Sequence, residues 1–255
     1  MIDEGRGPAV VLLHGFPLSK EIWDAQAAAL APAARVVRPD LRCLGRSSVT
    51  AGPVLMETLA ADVAGILDAL GIERAVIVGH SLGSYVAFAF LRLFAERVAG
   101  LGIVCGRPDA DDDAGRSRRL ALADAAESDG IGPVIEFYLP RLLAPDAYRD
   151  RPDVVDAVAA ICRRTDPRGA AALLRGMALR VAAHDILTDV AVPVAIVAGG
   201  ADQLIPSDVQ ATMARALPRA AITVAASAGH LPQLESPAQV SSALQRLLAE
   251  SVDAA

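Results

Sequence analysis

The sequence predicts an α/β protein with a mostly parallel central sheet, flanked by helices and interrupted by one helical insertion. Short apolar runs alternate with helix-like segments, the runs are rich in Val and Ile, and the alternation stops over residues 107–186. The 255 residues, 53% hydrophobic and 21% charged, suffice for one large α/β unit and exclude a disordered chain.

The predicted strands are continuous apolar runs, which suit strands buried on both faces of a sheet. Each run is bounded by Gly, Pro or Asp, and its length and its Val and Ile content favour a strand over a piece of buried helix. The six runs are residues 9–13, 35–37, 75–78, 100–105, 192–198 and 222–225.

The segments between the runs predict the flanking helices. Residues 58–70 place apolar side chains at helical spacing and end at Gly71, a natural C-terminal stop. Residues 81–94 are apolar almost all round, which predicts a buried helix. Residues 237–248 carry an apolar face and predict the last helix.

Residues 107–186 contain no strand-like run and predict a helical cap over one edge of the sheet. We therefore expect a core domain made of residues 1–106 and 187–255, with residues 107–186 as the cap. The acidic stretch at its start lacks the ligand spacing of a calcium loop, so we interpret it as a solvated loop. The predicted cap helices are residues 116–126, 133–143, 153–164 and 167–182.

Charge and cysteine content exclude several classes of function. The net charge of −6 gives no electrostatic support for binding nucleic acid. Cys43, Cys105 and Cys162 are widely spaced, so we expect neither a disulfide framework nor a zinc site. No signal peptide and no membrane-spanning run is visible, so we expect a cytoplasmic protein without a membrane partner, either monomer or homodimer.

The strongest functional signal is the segment Gly79-His80-Ser81-Leu82-Gly83, which matches G-x-S-x-G between a predicted strand and a predicted helix. In that context the serine lies on a strained turn, and the flanking glycines avoid backbone clashes. The N-terminus of the following helix favours negative charge that develops at the serine. Ser81 is therefore the candidate nucleophile; the alternative is a glycine-rich turn with an N-cap serine.

The segment Leu13-His14-Gly15-Phe16 ends the first predicted strand. We expect the backbone N–H groups of Phe16 and Leu82 to form an oxyanion hole, because two preorganised donors stabilise a tetrahedral oxyanion. We expect His14 to brace this loop by hydrogen bonding and not to act as a base.

Asp202 and His230 complete the candidate catalytic set. Asp202 follows the predicted strand at 192–198, and on its own would be interpreted as a turn residue. His230 lies between the last strand and the last helix and is the only histidine after Asp202. The chain order Ser, Asp, His is the one that accompanies a G-x-S-x-G elbow. We therefore predict His230 as general base and Asp202 as its acid.

These motifs together resemble the α/β-hydrolase superfamily over nearly the whole chain. The resemblance is to small capped serine esterases, including carboxylesterases, pimeloyl-carrier-protein methyl ester esterases, 3-oxoadipate enol-lactonases and cofactor-free haloperoxidases. The segments that carry it are His14-Gly15-Phe16-Pro17, Asp40-Leu41-Arg42 with Gly45-Arg46-Ser47, the elbow at Ser81, Gly199 with Asp202 and Pro206, and Gly229-His230.

The resemblance implies the α/β-hydrolase fold and a serine hydrolase that cleaves carboxylic esters of small molecules without a metal or organic cofactor. Some superfamily members carry the acid after an earlier strand, here near Cys105–Asp109, and this remains the alternative to Asp202. Epoxide hydrolases and haloalkane dehalogenases of this fold need a carboxylate in place of Ser81, which argues against their chemistry. In the cap, Phe137, Tyr138 and Leu139 are expected to line the substrate pocket.

The chain also departs from the family pattern. Cys43 and Leu44 replace a glycine and a commonly polar or aromatic residue, which suggests an altered loop, with Cys43 as a small apolar substitute. About eight residues precede Ala9, so we expect the first strand of the usual N-terminal hairpin to be missing. Four other functions share the fold: lactonase, carbon–carbon bond hydrolase, cofactor-free perhydrolase and non-catalytic ligand binder.

Overall fold

In a computed structural model that describes residues 1–253, the chain forms a seven-stranded sheet. All neighbouring strands are parallel except the edge pair β1 and β3. The predicted α/β fold with a mostly parallel sheet is thus confirmed. In spatial order the strands are β1 (Ile2–Gly5), β3 (Arg35–Arg38), β2 (Ala9–Leu13), β4 (Ala75–His80), β5 (Val98–Val104), β6 (Val194–Gly199) and β7 (Ala220–Ala225).

The edge strand β1 precedes Ala9 and lies outside the six predicted runs, so the expectation that the first strand is missing is wrong. Ile2 is its one large apolar residue and is exposed, so the strand shows no apolar pattern. The strand is held instead by its ladder to β3 and by an ion pair between Arg35 and Asp3, with 2.7 Å between Nη2 and Oδ2. It pairs with β3 and not with β2, so the two strands before the first helix do not form a hairpin.

The helices at 58–70, 81–94 and 237–248 appear where they were predicted, with shifted ends. The helix α10 was not predicted, because its buried side chains are few and include the polar Gln210. In residues 1–253 the α-helices are α1 (Asp24–Leu30), α2 (Met56–Ala69), α3 (Leu82–Leu93), α4 (Asp113–Asp129), α5 (Gly132–Leu142), α6 (Ala147–Asp150), α7 (Pro152–Arg163), α8 (Pro167–Ala178), α9 (His184–Leu187), α10 (Ser207–Ala216), α11 (Pro232–Glu235) and α12 (Pro237–Asp253).

Both faces of the sheet are covered, which explains why its central strands are apolar along almost their whole length. Along β2, Val11 and Leu13 join the core beneath α2 and α3, whereas Val10 and Leu12 join the core beneath α1 and α12. Successive strand residues point to opposite faces, so neither face leaves a polar stripe in the sequence.

The insertion 107–186 is helical throughout its regular elements and lies between β5 and β6. Its helices α4 and α8 pack together, and α5 contacts both α4 and α7. The division of the chain into a core and a cap at these residues stays a prediction. Of the helices in residues 1–253, none combines the length and apolarity needed to cross a membrane.

Candidate active site

Ser81 lies at the turn between β4 and α3 with φ 51° and ψ −113°, a conformation that is rare for residues other than glycine. Its N–H donates to the carbonyl of Val104 at 3.0 Å, and its carbonyl accepts from the N–H of Ser84 at 2.8 Å. These two hydrogen bonds hold Ser81 in its strained backbone conformation. That conformation presents the Ser81 side chain at the end of the sheet.

The two glycines of the motif are required by close backbone approach. A Cβ at Gly79 would lie 2.2 Å from the carbonyl oxygen of Gly83, and a Cβ at Gly83 would lie 2.3 Å from that of Leu13. Both positions therefore exclude a side chain, as the sequence predicted.

His230 and Asp202 form a buried pair, with 2.8 Å between Nδ1 of His230 and Oδ2 of Asp202. Because a carboxylate only accepts, the imidazole donates from Nδ1, and Nε2 is left as its acceptor nitrogen. The other oxygen of Asp202 accepts the N–H groups of Leu204 at 2.8 Å and Ile205 at 3.0 Å. Burial raises the pKa of Asp202, but the charge and hydrogen bond of His230 outweigh it and lower the pKa overall.

Ser81 and His230 line one cavity, which is partly open to solvent. No hydrogen bond joins them in the described part of the chain, so the serine hydroxyl is not held against the imidazole in this form. Catalytic hydrogen bonds often tighten only when substrate is bound.

The predicted oxyanion donors are free. Within residues 1–253, neither the N–H of Phe16 nor that of Leu82 donates a hydrogen bond. The loop that carries Phe16 packs directly on the nucleophile, since a Cβ at Gly15 would lie 3.2 Å from Cβ of Ser81. Two unused donors next to the nucleophile are the arrangement that an oxyanion requires.

His14 braces the loop, as expected. Its Nε2 accepts the N–H of Leu41 at 2.9 Å, and its Nδ1 donates to the carbonyl of Gly15 at 2.9 Å. Full burial lowers the pKa of His14 to about 4, which keeps the ring neutral near pH 7.

The contribution of His80 was missed from the sequence. Its Nε2 donates to the carbonyl of His230 at 2.7 Å, and the two rings lie 4.9 Å apart. Burial holds the pKa of His80 well below its usual value, so the ring is neutral. The residue before the nucleophile therefore holds the loop that carries the candidate base. The one signal in the sequence is its adjacency to Ser81.

Glu235 also supports the His230 loop and was not predicted. Its carboxylate accepts the N–H of Ala144 at 2.8 Å and the N–H of Gly229 at 2.8 Å. One side chain thereby ties the inserted helices to the residue before His230. Burial raises the pKa of Glu235.

The alternative position for the acid is occupied by Cys105, directly after β5. Asp109 lies away from the imidazole of His230 and pairs with His184 at 3.0 Å. Ligand atoms of Cys105, Asp202 and His230 lie within 4.8 Å of one another. Burial holds the pKa of the Cys105 thiol well above its usual value, and Nδ1 of His230 is committed to Asp202. We therefore assign no metal to this cluster.

Cys43 has a backbone conformation that glycine favours. Its φ is 70°, in the left-handed region that glycine favours, and its side chain is buried against Thr50. Its thiol acts as a small buried group, and the altered loop expected at this position stays a prediction.

Two of the three predicted pocket residues line the cavity. Phe137 and Tyr138 do so, whereas Leu139 packs into the core beneath α1 and α12. Leu139 is outside this lining because three consecutive helical residues cannot all face one side. The other lining residues are Phe16, Tyr85, Arg107, Asp111, Arg118, Arg119, Leu122, Met177, Leu204 and Ile205.

Similarity to known proteins identifies the family of this chain. The family model described as alpha/beta hydrolase fold matches residues 8–237. Among curated proteins, Epoxide hydrolase B of Mycobacterium tuberculosis is 46% identical over 99 residues, which cover 38% of this chain and only 28% of that protein.

Two solved structures are similar over almost the whole chain. A thermophilic esterase from Thermogutta terrifontis, solved with malate bound, is 35% identical, with a TM-score of 0.96 over 98% of this chain and 92% of the other. An enol-lactonase from Burkholderia xenovorans LB400 is 24% identical, with a TM-score of 0.91 over 98% of this chain and 95% of the other. The second likeness shows the fold alone.

Proposed function

This chain belongs to the alpha/beta hydrolase fold family, and from that membership we propose that it is a serine hydrolase cleaving carboxylic esters of small molecules. The observation that carries the proposal is the cavity shared by Ser81 and His230, with Asp202 hydrogen-bonded behind the imidazole at 2.8 Å. A nucleophile, a base and an orienting acid are the set that acyl transfer requires.

In the first half of the reaction, Ser81 Oγ attacks the ester carbonyl carbon and its proton passes to Nε2 of His230. The carbonyl oxygen becomes an oxyanion held by the N–H groups of Phe16 and Leu82. Asp202 stabilises the imidazolium that forms. The tetrahedral intermediate then collapses, the bond to the alcohol oxygen breaks, and His230 gives that oxygen its proton. Ser81 is left acylated.

In the second half, water attacks the acyl carbon while His230 takes its proton. The same two N–H groups hold the second oxyanion. Collapse breaks the bond to Ser81 Oγ, which recovers its proton from His230, and the carboxylic acid leaves. No step in this sequence uses a metal or an organic cofactor. The proposal includes action in the cytoplasm on free small molecules, as monomer or homodimer.

The identity of residue 81 separates this proposal from epoxide hydrolysis. The resemblance implies a carboxylate nucleophile for epoxide hydrolases of this fold, and a serine stands at that position here. The similarity to Epoxide hydrolase B covers 38% of this chain. Lactones are cyclic esters opened by the same steps, so the enol-lactonase likeness makes a lactone a useful member of the substrate panel.

Labelling with a fluorophosphonate tests the proposal against a non-catalytic ligand binder. Attack by Ser81 Oγ forms a bond to phosphorus and releases fluoride, and peptide mass spectrometry identifies the modified residue. We expect stoichiometric labelling at Ser81 in the intact protein and none in Ser81→Ala. An unlabelled but folded protein, or labelling at another serine, would reject the proposal.

A further inference from the structure

The cavity at Ser81 carries an excess of positive charge. Arg107, Arg118 and Arg119 line it, and Asp111 is the one carboxylate among the lining residues of the described chain. Its walls are otherwise apolar or aromatic, apart from Ser81 and His230. An excess of guanidinium groups in a confined cavity attracts an anionic ligand.

The carboxylate of Asp111 is already hydrogen-bonded to arginines, so it does not neutralise the excess positive charge of the cavity. It is buried, and it accepts hydrogen bonds from Arg119, from Arg180 with 3.0 Å between Nη2 and Oδ1, and from Arg107 with 3.0 Å between Nη2 and Oδ1. One carboxylate therefore serves three guanidinium groups, and Arg118 adds a fourth to the cluster. The charge and hydrogen bonds of Arg119 and Arg180 overcome the effect of burial and lower the pKa of Asp111 to about 2, so it is ionised near pH 7.

The acidic residues next to Asp111 in the chain are committed elsewhere. Asp109 pairs with His184 at 3.0 Å, and Asp112 accepts the N–H of Gly115 at 2.7 Å at the start of α4. Neither carboxylate is therefore available to the cavity arginines.

Two arginines retain donors without partners. Arg118 forms no ion pair or hydrogen bond through its side chain within residues 1–253, and its guanidinium lies 5.6 Å from the ring centre of Phe137. Nε of Arg107 is buried without a hydrogen-bond partner, although its Nη2 contacts Asp111. The buried Nε of Arg107 is costly to leave unpaired unless a ligand supplies an acceptor, whereas Arg118 is exposed and has its donors available for a ligand.

The charged cluster lies close to the reacting atoms. The ring of Tyr138 packs edge-on against Phe16 at 5.2 Å, and its hydroxyl accepts a hydrogen bond from Nη1 of Arg119 at 3.1 Å. One aromatic ring thus separates the oxyanion loop from the arginines. Ser81, Arg107 and Arg118 line the same cavity.

We infer that the substrate is an ester carrying a free carboxylate, which Arg118 and Arg107 bind while Asp111 holds Arg119 and Arg180 in place. This inference rests on the proposed esterase function and names the class of ester. An Arg–carboxylate contact is bidentate and charge-assisted, so it selects both the charge and the position of the substrate.

The test compares matched esters with and without a carboxylate. Mono-p-nitrophenyl glutarate is set against p-nitrophenyl butyrate, and 4-carboxyphenyl acetate against phenyl acetate, so that the charge lies on either side of the ester bond. The readout is the ratio of kcat/KM for the charged ester to that for the neutral ester, at low ionic strength. We expect at least one pair to favour the charged ester about tenfold or more in the intact protein.

Substitutions then identify which arginines produce the preference for the charged ester. We expect Arg118→Gln to lower the ratio about tenfold, Arg107→Gln to lower it by a similar factor, and Arg118→Lys to retain part of it. Arg116→Gln is the matched control, because Arg116 lies exposed on the same helix, outside the cavity lining. Its ratio should equal that of the unsubstituted protein. Added salt should lower the ratio in the unsubstituted protein.

The two ways of failing are distinguishable. If both neutral esters are hydrolysed through Ser81 but neither charged ester is preferred, or if Arg116→Gln lowers the ratio as much as Arg118→Gln, the carboxylate site is rejected and the esterase proposal stands. If no ester is hydrolysed and the fluorophosphonate does not label Ser81, both proposals fall together.

Discussion

The imidazole of His80 donates a 2.7 Å hydrogen bond to the backbone carbonyl of His230, across 150 positions of the chain. The residue that precedes the nucleophile is thereby joined to the residue proposed as its base. The two rings lie 4.9 Å apart and both are buried. His80 therefore links the β4–α3 turn to the His230 loop, and we expect it to act as a positioning residue.

Loss of this contact should lower turnover. We expect His80→Ala to reduce kcat by about 10–100-fold with little change in KM, because the loop of His230 loses its buried donor. The unpaired carbonyl should also cost about 1–3 kcal/mol of the free energy of unfolding. His80→Gln places an amide N–H near the position of Nε2 and should recover part of kcat. Equal kcat in all three proteins would contradict a positioning role.

Asp202 should support turnover by keeping the proton of the neutral His230 ring on Nδ1. Asp202→Asn replaces an acceptor with a group that can present a donor to Nδ1, which favours the wrong tautomer. In serine triads this change lowers kcat by roughly 10⁴-fold. Steady-state hydrolysis of a p-nitrophenyl ester measures it. Asp208→Asn, an exposed position at the start of α10, is the control and should leave kcat unchanged. An unchanged kcat in Asp202→Asn would mean that the acid lies elsewhere.

Glu235 should support both the fold and the site. Glu235→Ala leaves the N–H groups of Ala144 and Gly229 without their acceptor, at a cost of about 2–4 kcal/mol in the free energy of unfolding. Urea unfolding measures this loss. We also expect kcat to fall, because Gly229 precedes the base. The exposed Glu250 lies on α12, and Glu250→Ala should change neither quantity. Unaltered stability in Glu235→Ala would refute the link.

The pKa of Asp111 predicts a dependence of stability on pH. Its folded-state value of about 2 lies below the ordinary 3.8, so its stabilising contribution is present above pH 4 and is lost as pH falls through about 2. Asp111→Asn leaves the buried Arg180 without its carboxylate and should cost about 3–5 kcal/mol at pH 7.

Urea unfolding at pH 7, 5 and 3 checks the sign of this effect. The difference in free energy of unfolding between the unsubstituted protein and Asp111→Asn should be constant from pH 7 to 5 and smaller at pH 3. Asp113→Asn, exposed in the first turn of α4, serves as the control. A difference that grows on acidification would contradict the assignment.

The parts of the site that were predictable from sequence depend on local backbone geometry. The turn at Ser81 needs glycine at positions 79 and 83. A Cβ at Gly79 would clash with the backbone of Gly83, and a Cβ at Gly83 would clash with that of Leu13. This requirement appears in the sequence as the two glycines themselves. Asp202 was predicted from chain order, since the loops after parallel strands meet at one edge of the sheet.

The missed features depend on contacts between distant residues. His80 meets His230, and Glu235 meets Ala144, through packing that leaves no local pattern. Leu139 lies outside the cavity lining because the orientation of α5 on its neighbours decides which side chains face the cavity. The arginine cluster was not seen for the same reason, since Arg180 and Asp111 lie 69 positions apart.

The central claim is that the hydroxyl of Ser81 performs the chemistry. The most direct measurement is hydrolysis of p-nitrophenyl butyrate by Ser81→Ala, with circular dichroism and urea unfolding to show that the variant is folded. We predict a loss of kcat of at least about 10⁴-fold, down to the residual rate that binding and the oxyanion donors support. A folded Ser81→Ala protein that keeps kcat within tenfold of the unsubstituted enzyme would contradict the assignment.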